Sequence, residues 1–461
     1  MKVEQFVLES LGHASYFLSS ERTGEAIVVD PRRDVEPYLE AERRYGARIV
    51  AVLDTHQHND YASGIVELAR RTGARMLASA EANVKYDSRA VADGEELTFG
   101  EMRLRVIHTP GHTPEHVSLL AFDGEDEPAM LISGGALLVG DLARPDLLGG
   151  PEEKRESART FCRTLQEKIL TLPDHVLVYP THVAGSLCGG NIGSRYSTTV
   201  GYERRTNPVL AAVAARDVFV EECIRMDDLP AVPPYWRRMR GLNQEGPEPV
   251  GAFPPPPALQ VGDFAERIEG GAVVLDARSP EAFAGTHIPG SLNVGLSTSF
   301  PTWAGTIVPE DRDILLVLDD PSDLAEVVWS LIRIGYRVPS GWLAGGISSW
   351  RTSAREIGFV PHIEVRDLAG RLNDFTVLDV RQPGEWAGGH VEGALFVTGA
   401  EVPERLDEIP EGKPVAVMCG SGYRSSVISS LLKHHGRADV MNILGGMSAW
   451  HSARLPVTKE S

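Results

Sequence analysis

Cysteine is scarce in this sequence, because 461 residues contain only four: Cys162, Cys188, Cys223 and Cys419. Four thiols are too few for a disulfide-stabilised scaffold of this length, so we expect them to be free in a reducing compartment. The sequence also lacks an apolar run long enough to span a membrane, and its first residues lack a basic segment followed by an apolar one. These absences predict a cytoplasmic protein without a membrane partner.

Basic residues are in deficit, with 45 Lys and Arg against 64 Asp and Glu and a formal net charge of −19. Such an excess of negative charge argues against nucleic acid or an anionic membrane surface as the main partner. A small anionic substrate stays open, because the charge of a pocket can differ from the net charge. The hydrophobic content of 42% and the charged content of 24% are those of a globular protein, and the length predicts two to four domains.

Residues 1–245 alternate short apolar runs with turns rich in Gly and His. Polar residues follow the end of each run, in the segments THQHND from position 55, HTPGHTPEH from 108, LLVGD up to 141 and YPTH up to 182. In layered α/β folds such strand ends collect ligands and catalytic groups, and imidazoles and carboxylates there can converge on a metal. Scattered loop histidines are the alternative, but so many at strand ends favour a metal site.

These segments resemble the metallo-β-lactamase superfamily, whose signature HxHxDH is followed by three later ligands. The resemblance covers residues 1–245 and implies an αββα sandwich. Tyr61 stands where the signature has its last His. A neutral phenol is a poor replacement for an imidazole as a metal ligand, which disfavours the two-metal hydrolases of the superfamily.

The persulfide dioxygenases of the superfamily bind one ferrous ion through two histidines and an aspartate. The resemblance implies that His56, His112 and Asp141 hold one Fe(II) per chain here, with open positions for O2 and a thiolate-type substrate. It further implies a set of neighbouring residues that orient these ligands and bound water: His58, Asp60, Tyr61 and His182.

Two further residues are weaker candidates for substrate contacts. Arg204, in the segment GYERRTNP, lies where the sequence resembles the thiol-carrier region of glutathione-linked relatives, and it could pair with a substrate carboxylate. A solvated surface arginine is the alternative. Cys188 follows His182 by six positions and could relay sulfur, although a buried structural thiol is the favoured interpretation.

A proline-rich segment, PEPVGAFPPPPALQV, predicts an extended linker at residues 246–261. An internal repeat follows it, in which the motifs Asp-x-Arg, His-x-x-Gly and Gly-Gly-x-Ser-x-Trp occur twice, about 100 residues apart. Each copy alternates strand and helix patterns. We therefore predict two small α/β domains with mainly parallel sheets, at residues 262–355 and 356–461.

Cys419 ends the apolar run VAVM and begins the loop CGSGYRS, which precedes a predicted helix. The glycines let backbone N–H groups point at the sulfur, the helix N-terminus adds positive potential, and Arg424 adds a full charge, which together predict a low-pKa thiolate. An inert buried cysteine is the alternative. The loop is one residue shorter than the CxxxxxR loop of Cys-based phosphatases.

With the motifs DVR, EW and GHV upstream, residues 360–455 resemble the rhodanese family of sulfurtransferases. The resemblance implies that Cys419 holds a persulfide and passes its outer sulfur to an acceptor. Aligned through the Gly-Gly motif, Cys419 falls on Asp319 of the first repeat and Arg424 falls on Leu324. The first repeat therefore reads as an inactive rhodanese fold that serves as a spacer or interface.

The order of the three parts resembles the multidomain persulfide dioxygenase–sulfurtransferases of bacterial sulfide detoxification. This resemblance implies that O2 oxidises a low-molecular-weight thiol persulfide to sulfite, and that Cys419 exchanges sulfur between persulfide, sulfite and thiosulfate. A zinc thioester hydrolase of the glyoxalase II type shares the ligand frame, and a non-catalytic persulfide carrier or sensor is a third hypothesis. The thiol carrier, the direction of transfer and the oligomeric state stay open, and a homo-oligomer is compatible with the repeat.

Overall fold

A computed structural model describes residues 1–123, 126–224, 231–251 and 255–459. The chain divides into two compact units, residues 1–229 with 236–253 and residues 230–235 with 254–461. The limits of the predicted domains and linker stay predictions. No helix in the described ranges combines the length and apolar character needed to cross a bilayer. All four cysteines are free thiols.

The first unit is built on two six-stranded sheets within the described residues. The first sheet has the order β1-β2-β3-β4-β5-β6, antiparallel up to β3 and parallel from β3 onwards. Its strands are β1 (Lys2–Leu8), β2 (His13–Ser19), β3 (Glu25–Val29), β4 (Arg48–Leu53), β5 (Arg75–Ser79) and β6 (Arg89–Val91).

The second sheet has the order β12-β11-β10-β9-β8-β7, in which only the pair β10 and β11 is parallel. Its strands are β7 (Glu96–Phe99), β8 (Met102–His108), β9 (Val117–Asp123), β10 (Glu127–Gly134), β11 (Leu177–Pro180) and β12 (Thr198–Thr199). The helices of this unit are α1 (Glu36–Tyr45), α2 (Ile65–Thr72), α3 (Pro151–Thr164), α4 (Val200–Thr206), α5 (Pro208–Ala212), α6 (Arg216–Ile224) and α7 (Trp236–Glu245). A 3-10 turn at Glu9–Leu11 precedes β2, and a π-helical turn at Leu165–Ile169 continues α3.

Alternate side chains of each strand enter different cores, because successive residues of a strand point to opposite faces of the sheet. Tyr16 and Leu18 pack between the two sheets. Phe17, which separates these two residues in the sequence, packs instead in the core that includes α1 and α2. On β10, Ile132 faces the other sheet and Leu131 faces the core that contains α3 and α6. Both faces of both sheets are therefore buried, which explains the nearly continuous apolar runs and confirms the predicted αββα sandwich.

The second unit contains two parallel five-stranded sheets in its described part. The first sheet has the order β13-β17-β16-β14-β15, with strands β13 (Ala258–Leu259), β14 (Val273–Asp276), β15 (Leu292–Asn293), β16 (Ile314–Val317) and β17 (Gly341–Leu343). Its helices are α8 (Val261–Glu269), α9 (Pro280–Gly285), α10 (Phe300–Ile307), α11 (Leu324–Arg333) and α12 (Gly346–Thr352), with a 3-10 turn at Pro321–Asp323. Strand β13 comes from the segment that we predicted as linker, and it pairs with β17.

The second sheet of this unit repeats the same order as β18-β22-β21-β19-β20. Its strands are β18 (His362–Ile363), β19 (Thr376–Asp379), β20 (Leu395–Phe396), β21 (Val415–Met418) and β22 (Val440–Ile443). Its helices are α13 (Val365–Ala369), α14 (Pro383–Ala387), α15 (Tyr423–His434) and α16 (Gly446–Ser452), and 3-10 turns lie at Leu372–Asp374, Val402–Glu404 and Leu406–Glu408. The identical strand orders confirm the predicted duplication of an α/β fold.

The Asp-x-Arg motif of each repeat is a buried structural ion pair. The guanidinium group of Arg381 donates to both carboxylate oxygens of Asp379, at 2.7–3.0 Å, and to the carbonyl oxygen of Gly389. Arg278 and Asp276 make the same pair in the first repeat. Since only the second repeat contains a cysteine, this shared motif stabilises the fold rather than serving sulfur chemistry.

The strand register corrects one residue of the sequence alignment between the repeats. Asp276 pairs with Val317, and its counterpart Asp379 pairs with Met418. The residue that follows each central strand is therefore Leu318 in the first repeat and Cys419 in the second, so the alignment of Cys419 with Asp319 is wrong. The error arises because the loop after β16 is longer than the loop after β21. Leu318 is buried and apolar, and the first repeat still has no nucleophile at this position.

Candidate functional site

Three imidazoles meet at the strand ends of the first unit. His56 follows β4, His112 lies between β8 and β9, and His182 follows β11. Each ring is at most 3% exposed. One nitrogen of each ring lies within 4.8 Å of a nitrogen of both others. The polar residues that follow these apolar runs are thus brought together across both sheets.

The hydrogen bonds of His56 determine which of its nitrogens carries the proton. Nδ1 of His56 lies 2.9 Å from the hydroxyl of Thr55, and that hydroxyl donates to the carboxylate of Asp30 at 2.9 Å. Because the hydroxyl proton is used on Asp30, Thr55 accepts from Nδ1–H of His56. Nε2 of His56 therefore carries a lone pair, as a metal ligand requires.

His112 is arranged in the same way. Its Nδ1–H donates to the carbonyl oxygen of Arg144 at 2.8 Å, and its Nε2 is buried without a hydrogen-bond partner among the described residues. Burial lowers the pKa of His112 to about 4, so the ring is neutral. A buried acceptor without a donor is costly, and a cation at Nε2 removes that cost.

The third ring, His182, completes a set of converging nitrogens. Its Nε2 lies 3.3 Å from Nε2 of His56, and its Nδ1 lies 3.3 Å from the carboxylate of Asp60. Although burial opposes it, Cys188 and Asp60 raise the pKa of His182. A proton on Nε2 of His182 would make a hydrogen bond to Nε2 of His56, and a metal cation between the rings would be bound by both nitrogens. The donor set therefore fits a transition metal.

His58 and Tyr61 face Asp30 with their polar atoms. Nε2 of His58 lies 3.1 Å from a carboxylate oxygen of Asp30, and the hydroxyl of Tyr61 donates to the carbonyl oxygen of Asp30 at 3.3 Å. The Tyr61 ring also packs on His58, with 4.4 Å between the ring centroids. Burial raises the pKa of Tyr61 well above its usual value, so its phenol stays neutral and bound to the backbone.

Asp30 organises this site, although we did not select it from the sequence. Its carboxylate accepts hydrogen bonds from the backbone and hydroxyl of Thr55, from the hydroxyl of Thr181 and from His58. Its backbone is left-handed, with φ of 53°, which is uncommon outside glycine and often marks functional sites. Asp30 follows the apolar strand β3, so the strand-end criterion that selected His56 would also have selected it.

Asp141, the predicted carboxylate ligand, is not in the imidazole group. Its two carboxylate oxygens accept hydrogen bonds from the backbone N–H groups of Leu142 and Asn191, at 2.8 and 2.7 Å. Burial raises the pKa of Asp141. The structure therefore brings His56 and His112 together with His182 rather than with Asp141.

A cavity of about 350 Å³ opens beside Asp141. Its lining includes Arg144, whose carbonyl oxygen holds His112, and also Glu222 and Cys223. The guanidinium group of Arg144 pairs with Asp146 at 2.8 Å. This cavity is large enough for the thiol end of a small substrate, and it lies next to a predicted metal ligand.

The two predicted substrate residues occupy different environments. The guanidinium group of Arg204 donates to the carboxylate of Asp174 and to the carbonyl oxygens of Leu170 and Leu172. The guanidinium group is thus bound to the segment that precedes β11, and the structure does not bring it to the imidazoles. Cys188 is buried, and its sulfur lies within 4.8 Å of ligand atoms of Asp60 and His182.

Glu203, the neighbour of Arg204 on α4, supports the Asp141 loop. Its buried carboxylate accepts hydrogen bonds from the backbone of Gly140 and from the side chains of Thr198 and Asn207. The side chain of Asn207 also donates to the carbonyl oxygen of Asp141 at 3.1 Å. No pattern in the sequence indicates that Glu203 rather than Arg204 faces inwards.

Cys419 follows β21 and is 1% exposed. Its sulfur accepts a hydrogen bond from the backbone N–H of Gly422 at 3.1 Å and lies 3.2 Å from the hydroxyl of Ser425. Gly422 has a φ of 116°, a left-handed conformation that favours glycine. Because α15 begins at Tyr423, the sulfur faces a helix N-terminus, which stabilises an anion.

Arg424 forms a two-pronged ion pair with Glu385. Its two terminal nitrogens donate to the two carboxylate oxygens at 2.6 and 2.7 Å. Hydrogen bonding to Glu385 raises the pKa of Arg424. An anionic sulfur donor that approaches Cys419 therefore meets a guanidinium group already paired with a carboxylate.

Comparison with known proteins agrees with this division of the chain. The model of the metallo-beta-lactamase superfamily matches residues 10–182, and the model of the rhodanese-like domain matches residues 260–353 and 364–453. The crystal structure of a metallo-beta-lactamase from Staphylococcus aureus subsp. aureus COL superposes with a TM-score of 0.66. It is 30% identical over 74% of this chain and 98% of its own.

Curated relatives of the first unit include persulfide dioxygenases and hydrolases. The chain is 30% identical over 202 residues to the mitochondrial persulfide dioxygenase ETHE1 of Bos taurus, which is 42% of this chain and 70% of that protein. It is 39% identical over 128 residues to the human hydroxyacylglutathione hydrolase-like protein, of which it spans 43%. Similarity alone therefore does not choose between a dioxygenase and a hydrolase.

Proposed function

The chain belongs to the metallo-beta-lactamase superfamily and carries two rhodanese-like domains, and from this premise we propose that it is a persulfide dioxygenase with sulfurtransferase activity. In this proposal one iron in the first unit oxidises a low-molecular-weight thiol persulfide to sulfite. Cys419 then transfers sulfane sulfur, forming thiosulfate or running in reverse. A location in the reducing cytoplasm accords with four free thiols.

The environment of Tyr61 is the observation that carries the proposal for the first unit. Two-metal members of the superfamily need an imidazole at this position, and here a buried phenol donates a hydrogen bond to a backbone carbonyl oxygen. Its raised pKa keeps it from becoming a phenolate ligand. One metal, held by His56 and His112, is therefore favoured over two.

We propose Asp141 as the third ligand of this metal. Two imidazoles and one carboxylate on one face form the donor set of non-haem iron sites with open positions. His182, which lies closer to the other imidazoles, competes for that role. The ligands would then be oriented by their neighbours His58, Asp60 and Tyr61, through contacts of these residues with one another and with Asp30. If Asp141 is the ligand, His182 joins this group.

The ion would supply open coordination positions and would mediate the transfer of electrons from the outer sulfur of the persulfide to O2. The chain itself fixes the ligand rings through Thr55 and the carbonyl of Arg144, and it shields the site because the imidazoles are buried. The cavity beside Asp141 would admit the persulfide. One persulfide anion, one O2 and one water give one thiolate, one sulfite and two protons.

Sulfur transfer would take place on the Cys419 thiolate. The thiolate attacks the outer sulfur of a donor persulfide, the bond to the carrier breaks, and the carrier leaves as its thiolate. A sulfite lone pair then attacks the outer sulfur of the Cys419 persulfide, which forms thiosulfate and restores the thiolate. The N–H of Gly422 stabilises the anionic sulfur of Cys419, and Arg424 attracts the anionic partners.

A zinc thioester hydrolase is the second candidate function, and one observation favours it. Asp60, His182 and Cys188 lie close enough to hold a second metal, so that a thiol would replace the imidazole lost at Tyr61. The relatedness to hydroxyacylglutathione hydrolases points the same way. A non-catalytic persulfide carrier is less well supported, since three converging nitrogens form an open rather than a closed site.

Oxygen uptake with a panel of thiol persulfides tests the proposal. Anaerobically purified protein is expected to contain one iron per chain and to consume one O2 per persulfide, with glutathione and coenzyme A persulfides compared at equal concentration. The matching thioesters serve as the hydrolase control. Two zinc ions per chain with thioester cleavage and no O2 demand would replace the proposal by the hydrolase.

We also propose the domain limits that the sequence suggests: a dioxygenase domain at 1–245, a linker at 246–261, an inactive rhodanese-like domain at 262–355 and an active one at 356–461. The presence of both activities in one chain raises the effective concentration of sulfite near the transferring cysteine.

A further inference from the structure

Helix α15, which begins next to the Cys419 loop, presents one polar face to the first repeat. The residues of this face are spaced by three or four positions, as neighbours on one side of a helix are: Tyr423, Ser426, Ser430 and His434. Their partners all lie between residues 290 and 297, on or beside the edge strand β15. The inactive repeat therefore contacts the helix along its whole length.

The contacts of Ser430 and His434 are made far from Cys419. The backbone N–H of Asn293 donates to the hydroxyl of Ser430 at 2.9 Å, and Nδ1 of His434 donates to the carbonyl oxygen of Gly290 at 2.6 Å. Asn293 is also held within its own repeat, because its side chain donates to two backbone carbonyls. The strand under α15 is thus also held by hydrogen bonds within its own repeat.

Tyr423 makes the contact that is nearest to Cys419. Its hydroxyl donates to the carbonyl oxygen of Gly295 at 2.7 Å and accepts from the hydroxyl of Ser297 at 3.1 Å. Burial raises the pKa of Tyr423 to about 12, so the phenol remains a donor. Tyr423 is the first residue of α15, between Gly422, whose N–H meets the sulfur, and Arg424.

The loop is held to its own repeat by hydrogen bonds. The carbonyl oxygens of Cys419 and Gly420 accept from the backbone N–H groups of Met447 and Ser448, at 2.8 and 2.9 Å. The Tyr423 hydroxyl adds a bond to the first repeat, one residue after the Gly422 N–H that meets the sulfur. Such support is what a preorganised anion site requires.

We propose that Tyr423 is a positioning residue for sulfur transfer, through which the inactive repeat fixes the first turn of α15 and thereby the Gly422 N–H that faces the Cys419 sulfur. The inference rests on the proposed sulfurtransferase function of Cys419. It gives the first repeat a task that needs no nucleophile of its own. Without the Tyr423 hydroxyl, the helix stays folded but its first turn loses its hydrogen bond to the first repeat, and the position of the Gly422 N–H is less well defined.

Tyr423→Phe in the full chain tests this proposal, with His434→Gln as the matched control at the distal end of the same helix face. Two quantities are measured: steady-state transfer from thiosulfate to cyanide, and the rate at which iodoacetamide alkylates Cys419, followed by mass spectrometry of its peptide. Loss of one hydrogen bond predicts that Tyr423→Phe lowers kcat about 3- to 10-fold. KM is expected to stay unchanged and the alkylation rate to fall in parallel.

The control variant distinguishes a positioning role of Tyr423 from a general contribution of the helix face to packing between the repeats. His434→Gln is expected to leave kcat and the alkylation rate at wild-type values, while both variants unfold within a few degrees of the wild type. Equal losses in the two variants, or a Tyr423→Phe protein that matches the wild type in both measurements, would overturn the inference. If the wild type transfers no sulfur, the proposed function fails, whereas the alkylation rates still decide the role of Tyr423.

Discussion

Nε2 of His56 and Nε2 of His182 lie 3.3 Å apart in a buried space. At this distance the two nitrogens can share a proton, or both can bind one cation. In the proposed metal-bound state the folded first unit binds the cation more tightly than the unfolded chain does, and ligands of that kind stabilise the fold.

Removing the metal is therefore expected to lower the unfolding temperature of the first unit. At a free metal concentration about 100 times Kd, binding contributes about 2.7 kcal/mol. Differential scanning calorimetry with and without Fe(II) under argon measures this effect. His112→Gln should abolish the metal-dependent shift, whereas His108→Gln, in the same segment but bonded to the carbonyl of Pro114, should retain it.

The choice of third ligand is tested by Asp141→Asn and His182→Gln, with the iron content of anaerobic protein as the measurement. If Asp141 is the ligand, Asp141→Asn loses iron and O2 uptake. His182→Gln then weakens metal affinity by about 10- to 100-fold, as removal of a group that orients ligands does. The reverse ranking would make His182 the ligand and would favour a zinc enzyme.

The two activities are expected to separate in Cys419→Ser. A serine hydroxyl does not ionise near neutral pH, so sulfur transfer should fall to background while persulfide-dependent O2 uptake stays within about twofold of the wild type. Ser421→Ala, in the same loop but exposed, is the control and should retain both. Loss of O2 uptake in Cys419→Ser would show that persulfide reaches the iron through Cys419.

Glu385 is expected to weaken the binding of anionic sulfur donors, because its carboxylate neutralises Arg424. Glu385→Gln should lower KM for thiosulfate by up to about fivefold, the size expected for a partly exposed ion pair. Steady-state transfer kinetics measure this, with Glu401→Gln as a surface control. A higher KM together with a lower kcat would mean instead that Glu385 holds Arg424 in its working orientation.

The buried Asp-x-Arg pairs are expected to stabilise both repeats equally. Removing one partner of such a pair leaves an uncompensated charge and costs about 3–5 kcal/mol. Asp379→Asn and Asp276→Asn should therefore lower the unfolding temperature of the second unit by similar amounts. A large loss in Asp379→Asn alone would instead link this motif to Cys419 and its chemistry.

The layered folds and the duplication could be predicted from the sequence, because they rest on local patterns. Apolar runs with polar ends predict strands that deliver ligands to one edge, and this criterion selected His56, His112 and His182. It also could have selected Asp30. The role of Asp30 depends on contacts with Thr55, His58 and Thr181, which are distant in sequence, and on its left-handed backbone.

Other features depend on information that a sequence pattern does not contain. The one-residue shift between Asp319 and Leu318 arose because a longer loop follows β16, and only the strand register reveals it. On α4, a short helix, no periodicity says whether Glu203 or Arg204 points inwards. The relation of Asp141 to the imidazoles likewise depends on the loop conformation after β10.

The cover that α15 provides for strand β15 has an evolutionary consequence. The first copy contains no cysteine, so we expect thiol chemistry to place no constraint on its sequence. The edge of its sheet is constrained, because the helix of the second copy rests there. We therefore expect substitutions in the loop after β16 to be tolerated more readily than substitutions at residues 290–297.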